Sequence, residues 1–406
     1  MQIRGAPCNE PSRNQERSCS EAIMPCRNLR LQAAIRTIHL WVGLAAGILF
    51  CLMSLSGSLI VFRGGIESRL RPRWMPRSGA RPALVLTEAS RNIGRQWPGA
   101  SIESLNFPVR TGEPYEFVIR GADRHQVRVF TDCRSGEVLG TFELAWLDWI
   151  VDLHHNLRLG AAGKQVVGAI GLGLFAASLT GLALWLMRKP NWKTALLIQR
   201  KGSWKRLHFD MHRSAGLLSN VVLLIISTTG ISMAYPETIQ RILGVAPAKR
   251  GRRVKTIASA GAESRSIEDL VAAARHAIPG SEIRQVRFAD MAGRATTVRL
   301  WAPGDLRREG SSLVSLEPAT ARILQMDRAS QWTWTKRLLL SATPVHYAEW
   351  GGPLIKILWC LTGFMPPLLL VSGFFVWWHP SRFRSRTTRP SRQDARQPER
   401  VGQCSG

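Results

Sequence analysis

HLWVGLAAGILFCLMSLSG, residues 39–57, and HRSAGLLSNVVLLIISTTG, residues 212–230, decide the reading of this 406-residue chain. Each opens on a histidine, places a Gly-Leu pair four residues on (Gly43-Leu44, Gly216-Leu217) and reaches a hydroxyl residue followed by glycine, Ser56-Gly57 or Thr229-Gly230, eighteen residues after the histidine. Both belong to long uncharged stretches. Apolar runs at about 38–62, 165–187, 215–235 and 353–378 match the ~20 residues a helix needs to cross about 30 Å of hydrocarbon. They predict four membrane-spanning helices, the first at 37–62 and the others within 147–188, 208–235 and 340–379. The first run far exceeds the roughly 7–15 residues of a signal-peptide core, and no small-x-small cleavage site ends it. It is therefore expected to stay on the chain, after a disordered N-terminal stretch at 1–30 in which Met24 offers a second start.

The remaining two runs repeat one another in the same way. His154 precedes Gly181 by 27 residues and Trp185 by 31, and His346 precedes Gly373 and Trp377 by the same two spacings. Self-similarity of this kind selects four histidines from nine. Taking His155 for His154, or His208 for His212, breaks the spacing to the shared glycines. His125, His276 and His379 have no counterpart.

The net charge of +27 is sorted by topology and gives no reason to invoke nucleic acid. The 189–207 connection and its edges carry Arg188, Lys189, Lys193, Arg200, Lys201, Lys205 and Arg206 with no acid, and the tail at 380–406 adds seven arginines. Basic loops stay inside, so both termini are expected in the cytoplasm of a bacterial inner-membrane protein. The segments at 63–146 and 236–335 then lie outside. Each holds a helical stretch closing on Pro-Gly (Pro98-Gly99, Pro279-Gly280), an alternating strand (115–120, 297–301) and a further strand pair, which reads as two small α+β domains. The seven cysteines form no C-x-x-C pair, so neither a disulfide framework nor covalent c-type haem is indicated.

With this topology, His39 and His212 stand at the inner ends of outward-running helices, and His154 and His346 at the outer ends of inward-running ones. Ionisable groups in membrane segments are costly and mark functional sites, and imidazole is an axial ligand of haem iron. Two bis-histidine haem sites are the reading, one near each face, the outer one high. A zinc or copper site built from His154, His155, His346 and an acid such as Asp152 or Glu349 is the rival, and it leaves His39 and His212 unexplained. Glycine costs about 1 kcal/mol in a helix, so Gly43, Gly57, Gly181, Gly216, Gly230 and Gly373 call for a close approach, either of a flat macrocycle or of a neighbouring helix.

The motifs H-x-x-x-G-L from His39, L-H-x-x-L-x-x-G from Leu153, H-R-x-x-G-L from His212 and H-x-x-E-x-G-G from His346, followed by LLLVSGFFVWW at 368–378, resemble the PepSY-associated transmembrane family. The likeness runs from about residue 30 to 380. It implies a four-helix transmembrane bundle built from two repeats, with PepSY-like domains outside. Its di-haem siderophore-iron reductases imply two haem b groups on His39, His154, His212 and His346, and an oxidoreductase carrying electrons outward to a ferric siderophore or another periplasmic acceptor. Ala348 departs from the family pattern, where glycine is frequent, and so does His155. No G-x-G-x-x-G fingerprint is present, so the donor would be a cytoplasmic reductant, a partner reductase or quinol. The competing class is a non-enzymatic PepSY scaffold that binds peptides or regulates a peptidase.

Overall fold

The computed structural model describes residues 13–72, 74, 85–110, 112–121, 125–188, 195–199, 202–245, 265–289, 294–305, 307 and 309–379, with side chains from residue 29. The tail at 380–406 and, in the basic connection, residues 189–194, 200 and 201 lie outside the described residues. Helix α1 (Arg13–Ile60) begins inside the stretch read as disordered, and its apolar part, Leu29–Ile60, is the first span. The second is α5 (Gly160–Leu186) and the third α6 (Trp204–Ala234). The fourth, Gly352–Trp378, is two helices, α10 (Gly352–Gly363) and α11 (Met365–Trp378). Pro366 and Pro367 cause the break, since proline brings no N–H and its ring collides with the preceding turn. At Gly363 α10 approaches α1 so closely that a Cβ would collide with the Ser58 hydroxyl, and that hydroxyl donates to the Cys360 carbonyl at 3.1 Å.

The bundle is apolar outside. Ile48, Leu218 and Leu354 are 75%, 69% and 76% exposed, whereas Ser56, Ser178, Ser219, Asn220, Ser227 and Ser372 are buried. Lipid tails are as apolar as leucine, so membrane helices join through small and hydrogen-bonding residues instead. Asn220 does so directly, donating to the Ser178 carbonyl at 2.9 Å. Helices α1 and α6 each pack chiefly against α5 and α11, and so face one another across the bundle axis.

Outside the spans, α1 continues into α2 (Arg63–Leu70), followed by α3 (Val85–Gln96) and strands β1 (Ser101–Asn106), β2 (Tyr115–Arg120), β3 (Gln126–Thr131) and β4 (Val138–Thr141). Helix α4 (Ala145–Asn156) leads into α5. After α6 come α7 (Pro236–Ile242), α8 (Ile267–Ala277), β5 (Glu282–Arg287), β6 (Thr296–Trp301), β7 (Ser312–Leu316), β8 (Ile323–Asp327) and α9 (Trp334–His346). The two outer segments do not stand as separate domains. Their strands form one eight-stranded sheet in the order β4-β3-β2-β1-β5-β6-β7-β8. The seam is antiparallel pairing of Ser104, Leu105 and Asn106 with Arg287, Val286 and Gln285. Joining the halves leaves no unpaired strand edge at β1 or β5, and two exposed edges would invite pairing with other chains.

Helices α3 and α8 cover one face of the sheet. Period-two alternation buries Leu105, Phe117, Ile119, Val286, Val298 and Val314 against Ala89, Ile93, Leu270 and Ala274 in a single core. Gly136 closes the β3–β4 turn at φ 74°, and a Cβ there would come within 2.8 Å of the Val85 carbonyl oxygen. The opposite face is charged and adjoins α2 and α4.

Candidate haem sites

Each selected histidine is held by a hydroxyl residue and the glycine after it on another helix. His39 Nδ1 lies 3.1 Å from the Ala177 carbonyl and 3.1 Å from Thr180 Oγ1, and a Cβ on Gly181 would come 3.1 Å from its Cε1. His212 Nδ1 meets the Leu369 carbonyl at 3.0 Å and Ser372 Oγ at 3.2 Å, with Gly373 at its Cε1. His154 Nδ1 meets Ser56 Oγ at 3.0 Å and fills the space that Gly57 leaves. His346 Nδ1 meets Thr229 Oγ1 at 3.0 Å beside Gly230.

These contacts fix the tautomers. The four hydroxyls already donate to carbonyls of their own helices: Thr180 to Ala176, Ser372 to Leu368, Ser56 to Leu52 and Thr229 to Ile225. A hydroxyl has one proton, so each oxygen can only accept, and every Nδ1 is the donor. Each Nε2 then carries a lone pair, which is the ligand form of histidine, oriented by its second nitrogen. His154 and His346 sit on α4 and α9, outside the four spans. Burial pushes both down, His154 to about 3, with His346 and His155 adding to the effect, and His346 to about 4. Both are neutral at pH 7.

The histidines pair as their helix directions require. The His39 and His212 ring centres are 6.1 Å apart at 87°, and those of His154 and His346 are 6.3 Å apart at 44°. Two imidazoles on opposite sides of one metal ion, with bonds of about 2.0 Å and about 1.1 Å from nitrogen to ring centre, put the centres about 6.2 Å apart. Rotation about the metal–nitrogen axis leaves the interplanar angle free. The donor set and spacing would suit a metal ion held between the two rings of each pair. Gly43, one turn from His39, has nothing within 4 Å of a Cβ position, which leaves that side of α1 free for a flat group.

Along α1, seventeen residues separate His39 from Ser56, and seventeen separate His212 from Thr229 on α6. At about 1.5 Å per residue the pairs stand about 26 Å apart, close to the thickness of the hydrocarbon core. The outer pair reaches this level because α4 and α9 turn back over the bundle. Leu157 and Arg158 make one turn at φ 52° and 58°. The other uses Ala348 at φ 53° and Gly352 at φ 66°, so alanine occupies a left-handed position that glycine adopts more readily.

His155 is exposed while His154 faces His346. Asp152 is engaged by Asn156 at 2.6 Å and Arg158 at 3.7 Å, and among the described residues no group of three or more His, Cys, Asp or Glu is gathered as a metal site. Asp148 ties α4 to its surroundings. It receives Arg63 at 2.7 Å and Arg128 of β3 at 3.9 Å, and Glu67 joins both arginines at 2.8 and 3.2 Å. Burial disfavours the charged form of Glu67, but the bonds and charges of Arg63 and Arg128 outweigh it and hold the carboxyl below its usual range. Glu116, which lines a small cavity with Glu67, Arg71 and Arg128, is raised by burial. Of the arginines on the outer segments, Arg120 pairs with Glu103 and Arg284 with Glu282, so much of this charge is spent within the sheet.

The profile of the PepSY-associated TM region matches residues 36–379. An uncharacterized protein of Pseudomonas aeruginosa (strain PAO1) is 23% identical over 260 residues, 57% of this chain and 63% of that relative. The chain therefore spans somewhat under two thirds of its length. With the profile running from just before His39 to His379 and including all four ring-bearing segments, the chain belongs to the PepSY-associated transmembrane family.

Proposed function

We propose that this protein is a di-haem b-type electron carrier of the bacterial inner membrane, passing electrons from the cytoplasm to a periplasmic acceptor, with a ferric siderophore as the favoured substrate. The observation that carries the reading is the pair of imidazoles brought together at each end of the bundle, each with its Nδ1 engaged and its Nε2 left to ligate. Haem b, when bound, supplies a one-electron couple whose potential the axial ligands and their partners tune. The hydroxyl and carbonyl acceptors on Nδ1 orient the rings and make them better donors. Diagonal helices α1 and α6 carry the inner pair and, through Ser56 and Thr229, hold the outer pair that α4 and α9 bring over them.

The outer pair lies under a charged layer of the sheet, tied to it by Asp148 and Arg128. A water-soluble chelate meets the electron there, and one electron per ferric ion gives ferrous iron, which such chelators hold weakly. The basic end, lacking any nucleotide fingerprint of its own, meets a partner reductase, a small reductant or quinol. Stopped-flow mixing of the reduced protein with a panel of ferric chelates tests the substrate. Ferric siderophores are expected to speed reoxidation at least about tenfold over buffer, and the effect should vanish in His346→Ala. Equal rates with and without every chelate would sink the siderophore assignment.

A further inference from the structure

Of the two neighbouring histidines that the repeat sets aside, His155 is exposed and His208 is buried. It is 7% exposed, it stacks on Phe375 of α11 at 4.4 Å and 17°, and it meets the Trp204 ring at 5.0 Å. Among the described residues neither Nδ1 nor Nε2 has a hydrogen-bond partner. Burying an imidazole with both nitrogens unmet is costly, and stacking does not replace the lost bonds. The position one turn before His39 on α1 is Ile35, so nothing about the bundle demands a polar ring at this depth.

Position limits what can satisfy it. His208 precedes His212 by one turn of α6 and shares its face, about 6 Å along the axis toward the basic 189–207 connection. A haem held between His39 and His212 carries two carboxylate arms on one edge. Carboxylates are too costly to leave in hydrocarbon and turn to the nearer polar end, which here bears Arg36, Lys205 and Arg206. On the di-haem reading, we propose that His208 is the hydrogen-bond donor to a carboxylate arm of the inner haem, a positioning residue that holds that haem and sets its potential. An imidazole N–H on the carboxylate offsets its negative charge and so favours the reduced haem.

The test compares His208→Phe, which keeps the stack on Phe375, with His208→Ala and His208→Gln in the detergent-purified chain. Redox titration should resolve two waves, the inner one assigned by its loss in His212→Ala. In His208→Phe and His208→Ala the inner wave is expected to move to lower potential by a similar amount, with the outer wave fixed. His208→Gln, which retains an N–H donor, restores part of the shift. Transfer of the inner haem to excess apomyoglobin should also quicken severalfold in the first two variants. An unchanged inner wave in His208→Phe overturns the proposal, whether His208→Ala is altered, as a stacking role requires, or only reduction by quinol is lost, as a donor site requires. A wild-type chain without an inner haem overturns the di-haem reading and this inference together, and that is seen before any variant is made.

Discussion

Replacing His212 by alanine is expected to remove about half of the haem from the purified chain, and replacing His346 to remove the other half, since each breaks one two-ligand site. The sites are independent in the fold. His212 rests on Leu369 and Ser372, His346 on Thr229, and about 26 Å of helix separates the two levels. The two losses should therefore add, and His212→Ala with His346→Ala should leave a chain free of haem but still able to insert, because the α6–α11 and α6–α9 seams in which the two rings lie keep their other contacts. Haem-to-protein ratios from the pyridine haemochrome, with the remaining redox wave identified in each single variant, check this. Loss of both haems on either single substitution would mean that the sites are coupled through folding.

The second large effect is at the glycines. Gly57→Val should empty the outer site and Gly373→Val the inner one, although neither glycine touches a metal ion. A Cβ at these positions would stand 3.0 Å from His154 Cε1 and 3.1 Å from His212 Cε1. A single methyl asks the ring to retreat by a few tenths of an ångström. A β-branched side chain asks for more than the ring can give while keeping Nδ1 on its acceptor. Disturbing such an orienting contact costs about 10–100-fold in metal affinity, and displacing the ring outright exceeds that. Spectra should show the same surviving haem in Gly57→Val as in His154→Ala, and the same in Gly373→Val as in His212→Ala. If the glycines served helix packing alone, both haems would decline together with thermal stability.

These glycines mark the limit of what the sequence discloses. Their fixed distance from a histidine was visible, and so were the hydroxyl residues before them, but the distance runs along the wrong helix. Gly57 lies eighteen residues after His39 and accommodates His154. Gly181, 27 residues after His154, accommodates His39. A repeat within one helix shows that a position is constrained, and only the packing of α1 against α4 and α5, and of α6 against α9 and α11, shows by what. The pairing of His39 with His212 and of His154 with His346 was legible, because alternating helix direction puts like ends on like faces. The depth of the outer pair depends on left-handed turns at Leu157, Arg158 and Ala348, which carry little signal in residues other than glycine.

The strands were legible for the reason that helped with the spans, a clear period. Tyr115–Arg120 and Thr296–Trp301 alternate residue by residue. Their union in one sheet was not, since the seam joins residues some 180 positions apart through backbone hydrogen bonds that any side chains would permit. The break in the fourth span was written in Pro366 and Pro367, but hydropathy averaged over a window runs straight through two prolines. His208 was set aside on spacing alone. What spacing could not show is that it is buried with both nitrogens unmet among the described residues.

The measurement that bears most directly on the two-pair account is an optical redox titration of the purified chain with its haem-to-protein ratio. The account predicts a b-type Soret band, two haems per chain and two one-electron waves, with no haem left when His39 and His346 are both replaced by alanine. A wild-type chain without a Soret band, or full haem content retained in that double variant, would contradict it.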